Sequence, residues 1–232
     1  MAPFSTHTIS PVDRPAAVLF DFSGTLFHIE SAEQALLAAL GSEFVRWAPE
    51  LVRLGAINGS STSDDLPAHL ADVWERRDLS ADAHRAAYSG LSLHAGLTRQ
   101  QADALYERGI APEAWHPYPD TAATLRALHV SGTPVAVVSN IGWDPRPVLT
   151  RYGVERDIDV LVLSDERGIV KPDPEIFRLA CAELGVPPPD CVMIGDNADA
   201  DGAARVLGIQ FRLVSADPAR RPADALSRAV GW

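Results

Sequence analysis

The sequence predicts an α/β protein: a parallel, doubly wound sheet interrupted early by a long helical insertion. Three observations carry this. Residues 17–20 (AVLF) are a continuous apolar run, which suits a strand covered on both faces of a parallel sheet. From residue 120 onward, helical stretches alternate with further short apolar runs, the pattern of βα units. Between these regions, residues 28–116 show helical spacing and no clear strand.

Composition bounds the function. With 232 residues, 47% of them hydrophobic, the chain can bury a substantial core. A net charge of −11 opposes binding to nucleic acid or to an anionic membrane. Cys181 and Cys191 have neither metal-ligand nor disulfide-framework spacing and read as core residues. No apolar run approaches a membrane span. Residues 1–14 lack the basic start and apolar centre of a signal peptide, so they read as a loose tail on a cytoplasmic protein. The chain has nineteen arginines and one lysine, Lys171.

The first strand ends on Asp21, and Gly24-Thr25 follows as a tight turn whose amides can face an anion. Ser31 and Gln34 form a capping box that opens a helix ending near Gly41. A second helix is expected over 43–54, stopped by Gly55, and then a polar loop over 56–64. Leu66, Leu70, Val73 and Trp74 fall at helical spacing, and another helix starts near Ser80. Thr98 and Gln101 form a second capping box, with Gly109 closing that helix. Residues 116–120 (HPYPD) read as a stiff connector. Asp120 caps the next helix, which bears Leu125 and Leu128 and stops at Gly132. A strand over 134–138 runs into Ser139-Asn140, and a helix over 147–152 precedes a strand over 158–163. Asp173-Pro174 opens a helix ended by Gly185. A strand over 191–194 runs into Gly195-Asp196, and a helix to Leu207 and a strand over 210–214 follow.

Four polar features therefore stand at strand ends or at the entry to a helix. They are Asp21, Ser139-Asn140, Lys171-Pro172 and Gly195-Asp196-Asn197, with Asp201 shortly after. In open α/β sheets, ligands bind outside the carboxyl ends of the strands. Written out, the motifs are DFSGT, VSN, KP and GDNADAD. In this order they resemble the haloacid dehalogenase superfamily, in the branch with a helical cap after the first strand. The resemblance implies a Rossmann-like core (15–27 and 117–232) and an all-helical cap (28–116).

It also implies a chemistry. Asp21 would attack phosphorus and form an aspartyl-phosphate. Mg²⁺ would sit between the two anions, held by Asp21, Asp196 and the Ser23 carbonyl, with Asp201 behind them or as a direct ligand. Lys171 would neutralise phosphoryl oxygens. Ser139 and the amides around Phe22, Gly24 and Thr25 would donate to them, with Asn140 beside the substrate. The substrate would be a small phosphorylated metabolite.

One position departs from the family pattern. Its phosphatases usually carry a second Asp two residues after the nucleophile, where this chain has Ser23. A serine hydroxyl does not titrate near neutral pH, and general acid–base catalysis is worth about 10²–10⁴-fold. A phosphatase would therefore need a substitute, with His28 the first candidate and Glu30, His69, His84 and His94 behind it. A phosphonate C–P hydrolase would use a cap lysine, and the cap has none. A haloacid dehalogenase needs no leaving-group acid and no metal, but relatives of that kind lack the GD pair and usually carry Tyr at the Ser23 position. A slow or inactive phosphate-binding, regulatory domain is the remaining alternative. In the cap loop, Asn58, Ser60, Ser61 and Thr62 could bond substrate hydroxyls. The tryptophans at 47, 74, 115 and 143 read as packing residues, with Trp143 the one placed to face the site.

Overall fold

The structure is a computed structural model that describes residues 15–57 and 66–231. Asn58, Ser60, Ser61 and Thr62, like the tail over 1–14, lie outside the described residues. Five parallel strands form the main sheet: β1 (Ala17–Phe20), β4 (Val135–Ser139), β5 (Val160–Leu163), β6 (Cys191–Gly195) and β7 (Gln210–Leu213), in the order β5-β4-β1-β6-β7. β1 pairs with β4 on one side and β6 on the other, so the strand order reverses across it. That reversal opens a crevice at its carboxyl end, next to Asp21.

The alternation of side chains along β1 sorts them to two cores. Val18 and Phe20 join Leu125, Leu149 and Leu226 on one face; Ala17 and Leu19 join Ile176, Phe177 and Met193 on the other. Both faces are covered, which explains the unbroken apolar run of β1. Cys181 and Cys191 lie in the second core as free thiols, their sulfurs 3.7 Å apart.

The chain leaves and re-enters the sheet region through a two-stranded antiparallel ribbon, β2 (Phe27–Ile29) against β3 (Trp115–Pro117). This corrects two expectations, that residues 28–116 hold no strand and that 116–120 is only a connector. Three-residue strands are too short to show alternation, and their pairing joins distant residues. Pro117 is tolerated because it ends a ribbon strand, where a missing N–H costs little.

Beyond the ribbon, the described elements over 32–114 are helical and share a separate core that includes Leu36, Leu51, Leu54, Trp74 and Leu91. They include α1 (Ala32–Ala39), α2 (Ala48–Arg53), α3 (Ala71–Glu75), α4 (Ala81–His94) and α5 (Arg99–Ile110). Both capping boxes form, Ser31 with Gln34 and Thr98 with Gln101. The helix expected over 43–54 divides into a 3₁₀ segment (Ser42–Trp47) and α2. Pro49, which lacks an N–H, fits only the first turn of a helix, so α2 starts afresh there. Gly109 lies inside α5 rather than closing it.

The core holds α6 (Thr121–Ser131), α7 (Arg146–Arg151), α8 (Ser164–Arg167), α9 (Pro174–Leu184) and α10 (Ala225–Val230). Asp120 does not cap its own helix through its side chain. Its carboxylate accepts instead from the N–H groups of Leu226 and Ser227, at 2.8 and 3.0 Å, in the first turn of α10. The stretch after β6 is a 3₁₀ helix, Asp201–Leu207. No helix among the described residues is long and apolar enough to cross a membrane.

Candidate active site at the strand ends

Asp21, at the end of β1, is 6% exposed, and its N–H continues the ladder to the carbonyl of Ile194. Lys171 is buried and points inward. Its ammonium donates to Asp21 Oδ1 at 2.7 Å and to Asp201 Oδ1 at 2.6 Å. Asn140 holds the lysine's backbone from both sides: its Nδ2 donates to the Lys171 carbonyl at 2.9 Å, and the Lys171 N–H donates to its Oδ1 at 2.7 Å. Ser139 Oγ stands 3.4 Å from Asp21 Oδ1, a long hydrogen bond. The second oxygen of Asp201 accepts from the Asn197 N–H at 3.0 Å.

Asp21, Asp196 and Asp201 each offer a carboxylate oxygen, all within 4.8 Å of one another. Two glycines make this possible. A Cβ at Gly24, where φ is +80°, would stand 2.5 Å from Asp196 Oδ2; one at Gly195 would stand 2.1 Å from Asp201 Oδ2. Gly24 thus serves two needs, a left-handed turn and room for a carboxylate.

The electrostatics point to a missing positive charge. Burial pushes the Asp21 carboxyl up to about 7, with Lys171 pulling it down and Asp201 and Asp196 pushing it further up. Burial and Asp201 also raise Asp196. Burial pulls Lys171 down, but its two carboxylate partners more than offset this and leave it raised. Three acids around one ammonium leave an excess of negative charge that Arg221, near Asp196, offsets only in part, which is costly where Asp21 and Asp201 are buried. A divalent cation would balance them, and hard oxygen donors suit Mg²⁺, so the residues present fit that ion.

A cavity of about 110 Å³ lies between the core and the helical layer, and it is lined by Ser23 and Asn140 but not by Asp21, Lys171, Asp196 or Asp201 themselves. Ser23, Asn140, Ile141 and Trp143 line it from the core. Facing them are Ile29, Leu105, Ile110 and Trp115, together with Asp78, His84, Tyr88 and Tyr106. His84 Nδ1 is 3.0 Å from the Tyr106 hydroxyl. Burial, with Arg77 nearby, holds the His84 imidazole down to about 3, and burial pushes both tyrosines up to about 12. These three rings are therefore uncharged at neutral pH.

The other expected site residues are placed elsewhere. The Phe22 side chain is fully buried, stacked on Phe27 at 5.0 Å and packed against Trp115 and Trp143, so its ring is core and only its backbone amide is left for the site. Thr25 is fully buried, with no hydrogen-bond partner for its hydroxyl among the described residues. His28 does not line the cavity; its ring packs on His116 and Tyr118, and burial lowers its pKa. Glu30 is held by Arg108 through two bonds of 2.6 and 2.5 Å. His69 and His94 face each other in a hollow lined by residues of the helical layer. Trp115 joins Trp143 on the cavity wall, beyond the packing role expected of it.

Sequence reasoning missed Arg221. It is buried over the Tyr118 ring, 3.7 Å from its centre, and donates to the Gly24 carbonyl at 3.0 Å, fixing the turn after Asp21. It also missed Asp78, Tyr88 and Tyr106. No local motif marks Asp78, Tyr88 and Tyr106, because the helical layer brings them to the site, and Arg221 arrives from the segment between β7 and α10.

The chain belongs to the haloacid dehalogenase-like hydrolases, whose family model matches residues 15–231. The relatives it matches include both dehalogenases and phosphatases. It is 31% identical over 197 residues to (S)-2-haloacid dehalogenase 4A of Burkholderia cepacia, covering 84% of this chain and 80% of that protein. It is 33% identical over 152 residues to phosphoserine phosphatase of Thermus thermophilus, covering 58% of this chain and 60% of that one. Among solved structures, a HAD phosphatase from Thermococcus onnurineus aligns over 93% of this chain and 97% of that chain, with a TM-score of 0.60 and 26% identity.

Proposed function

We propose that the protein is a Mg²⁺-dependent phosphoric monoester hydrolase or phosphotransferase, acting on a small phosphorylated metabolite through an aspartyl-phosphate on Asp21. The observation that carries this reading is the convergence of the Asp21, Asp196 and Asp201 oxygens within 4.8 Å. A dehalogenase would not need such a cluster for a metal, since displacing halide from carbon needs none. Asp21 and Asp196 would hold the ion, with Asp201 and the Ser23 carbonyl as further donors. Bound there, Mg²⁺ would offset the repulsion between the attacking carboxylate and the phosphoryl oxygens. The chain's own groups do the rest. Asp21 supplies the nucleophilic oxygen. Lys171 orients that carboxylate and, with the Ser139 hydroxyl, stabilises charge that builds on the phosphoryl group. Asn140 keeps Lys171 in place.

The test is release of inorganic phosphate from a panel of small phosphate monoesters, with Mg²⁺ and with chelator. Halide release from 2-haloacids serves as the control. Mg²⁺-dependent phosphate release supports the reading. Metal-independent halide release replaces it with the second reading, a haloacid dehalogenase. That alternative is favoured by the apolar cavity beside Ser23 and by the relative matched over 84% of the chain. Metal-dependent retention of a phosphorylated ligand without turnover would point instead to a binding or regulatory domain.

A further inference from the structure

Resting on the reading of Asp21 as phosphoryl acceptor, the structure also offers a proton carrier. The position two residues after Asp21 holds Ser23, which lines the cavity but cannot titrate near neutral pH. Among the described residues lining that cavity, Asp78 is the one carboxyl. It belongs to a 3₁₀ turn, Arg77–Leu79, and the core holds that turn in place. Ser164 Oγ donates to the Asp78 carbonyl and also accepts from the Ile141 N–H at 2.9 Å. Gly142 completes the seat: a Cβ there would stand 2.6 Å from the Arg77 carbonyl and 2.5 Å from the His84 Cβ. The turn therefore rests on the loop that follows Ser139 and Asn140.

The Asp78 carboxylate is not used up by structure. It makes no hydrogen bond among the described residues, and its ion pair with Arg77, at 3.6 Å, is a loose one. The charged and titratable groups facing it are Arg77 on its own turn, Tyr88 on α4 and Lys171 from the core. Burial raises its pKa against the pull of both cations, so it holds a proton to higher pH than a free carboxyl. His84, also on the wall, is uncharged at neutral pH and has no spare proton of that kind to give.

We propose that Asp78 performs the acid–base role that Ser23 cannot, serving a compact, apolar alcohol whose phosphate faces Asp21. In the first step an Asp21 oxygen bonds phosphorus and the ester P–O bond breaks. The electron pair stays on the ester oxygen, which takes the proton from Asp78 and leaves as the alcohol. In the second step ionised Asp78 takes a proton from water as the water oxygen attacks phosphorus. The bond to Asp21 breaks, giving inorganic phosphate and returning both side chains to their starting forms.

The experiment uses the full chain with Mg²⁺ and two esters, benzyl phosphate and p-nitrophenyl phosphate. D78N is expected to slow benzyl phosphate turnover by about 10²–10⁴-fold and to remove the high-pH decline of its kcat/KM. With p-nitrophenyl phosphate, whose leaving group needs no proton, the burst of nitrophenolate should persist while steady-state turnover slows. Adding S23D to D78N should restore benzyl phosphate turnover, which a merely structural loss would not allow. If D78N fails to fold, Asp78→Ser makes the same comparison. Benzyl phosphate turnover by folded D78N within about threefold of the parent, with the pH profile unchanged, overturns the assignment but leaves the Asp21 reading intact. Absence of phosphate release by the parent from any ester overturns both.

Discussion

In the core, next to Ser23 and Asn140 of the cavity lining, Asp21, Lys171, Asp196 and Asp201 crowd together at the ends of parallel strands. On the other side, Trp115, Leu105, Ile110, Tyr88 and Tyr106 present a wall that is almost entirely uncharged. The first group is built for charge: the bonds from Lys171 to two carboxylates are short, and two glycines are needed to fit the acids side by side. The second is built for shape, with apolar surface and a single carboxyl. The contrast separates two tasks. Strand-end loops on a rigid sheet can hold charges to a fraction of an ångström, which the chemical step requires. A helical layer joined by one short ribbon can vary its apolar contacts without disturbing those charges, and it is suited to selecting what enters.

The sharpest way to break this contrast is to disable the charged group alone. Asp21→Asn should reduce turnover by more than about 10³-fold while the circular dichroism and melting profile stay native-like. A variant that keeps substantial turnover would remove Asp21 from the chemistry. Lys171→Met should act on stability as well as rate, because it strands Asp21 and Asp201 in a buried site. A loss of about 3–5 kcal/mol in urea unfolding is expected, smaller if Mg²⁺ is present.

The contact between the core and the helical layer is probed by Gly142→Ala. Its methyl group must displace the Arg77 carbonyl and His84, costing about 1–3 kcal/mol, and KM should rise more than kcat falls. The uncharged wall has its own signature in pH. His84 binds a proton at about 3 when folded, against an ordinary value of 6.5. Between those limits the unfolded chain holds a proton that the folded one refuses, so stability falls as pH drops through the window. The slope is at most about 1.4 kcal/mol per pH unit. His84→Gln should flatten the fall in melting temperature between about pH 7 and pH 5, with little effect near pH 8.

Much of the charged group could be read residue by residue. Asp21, Ser139, Lys171, Asp196 and Asp201 each sit just past an apolar run or at a helix entry, so their neighbourhood betrays them. The single lysine among nineteen arginines lies at the centre of the network it was expected to serve. Asp120 misled because its carboxylate, expected to cap its own helix, is taken up by α10, more than a hundred residues away.

The amino-acid sequence alone determined the parallel α/β architecture, the helical insertion, both capping boxes and the identity of the strand-end charges. All of these follow from patterns within a dozen residues, where periodicity and backbone preference act directly. Tertiary structure decided the two-stranded ribbon, the grip of Arg221 on the Gly24 turn, the displacement of His28 from the cavity and the arrival of Asp78 on the cavity that Ser23 lines. Each of those depends on groups far apart in the chain meeting across a packed interface, and no local propensity records such a meeting.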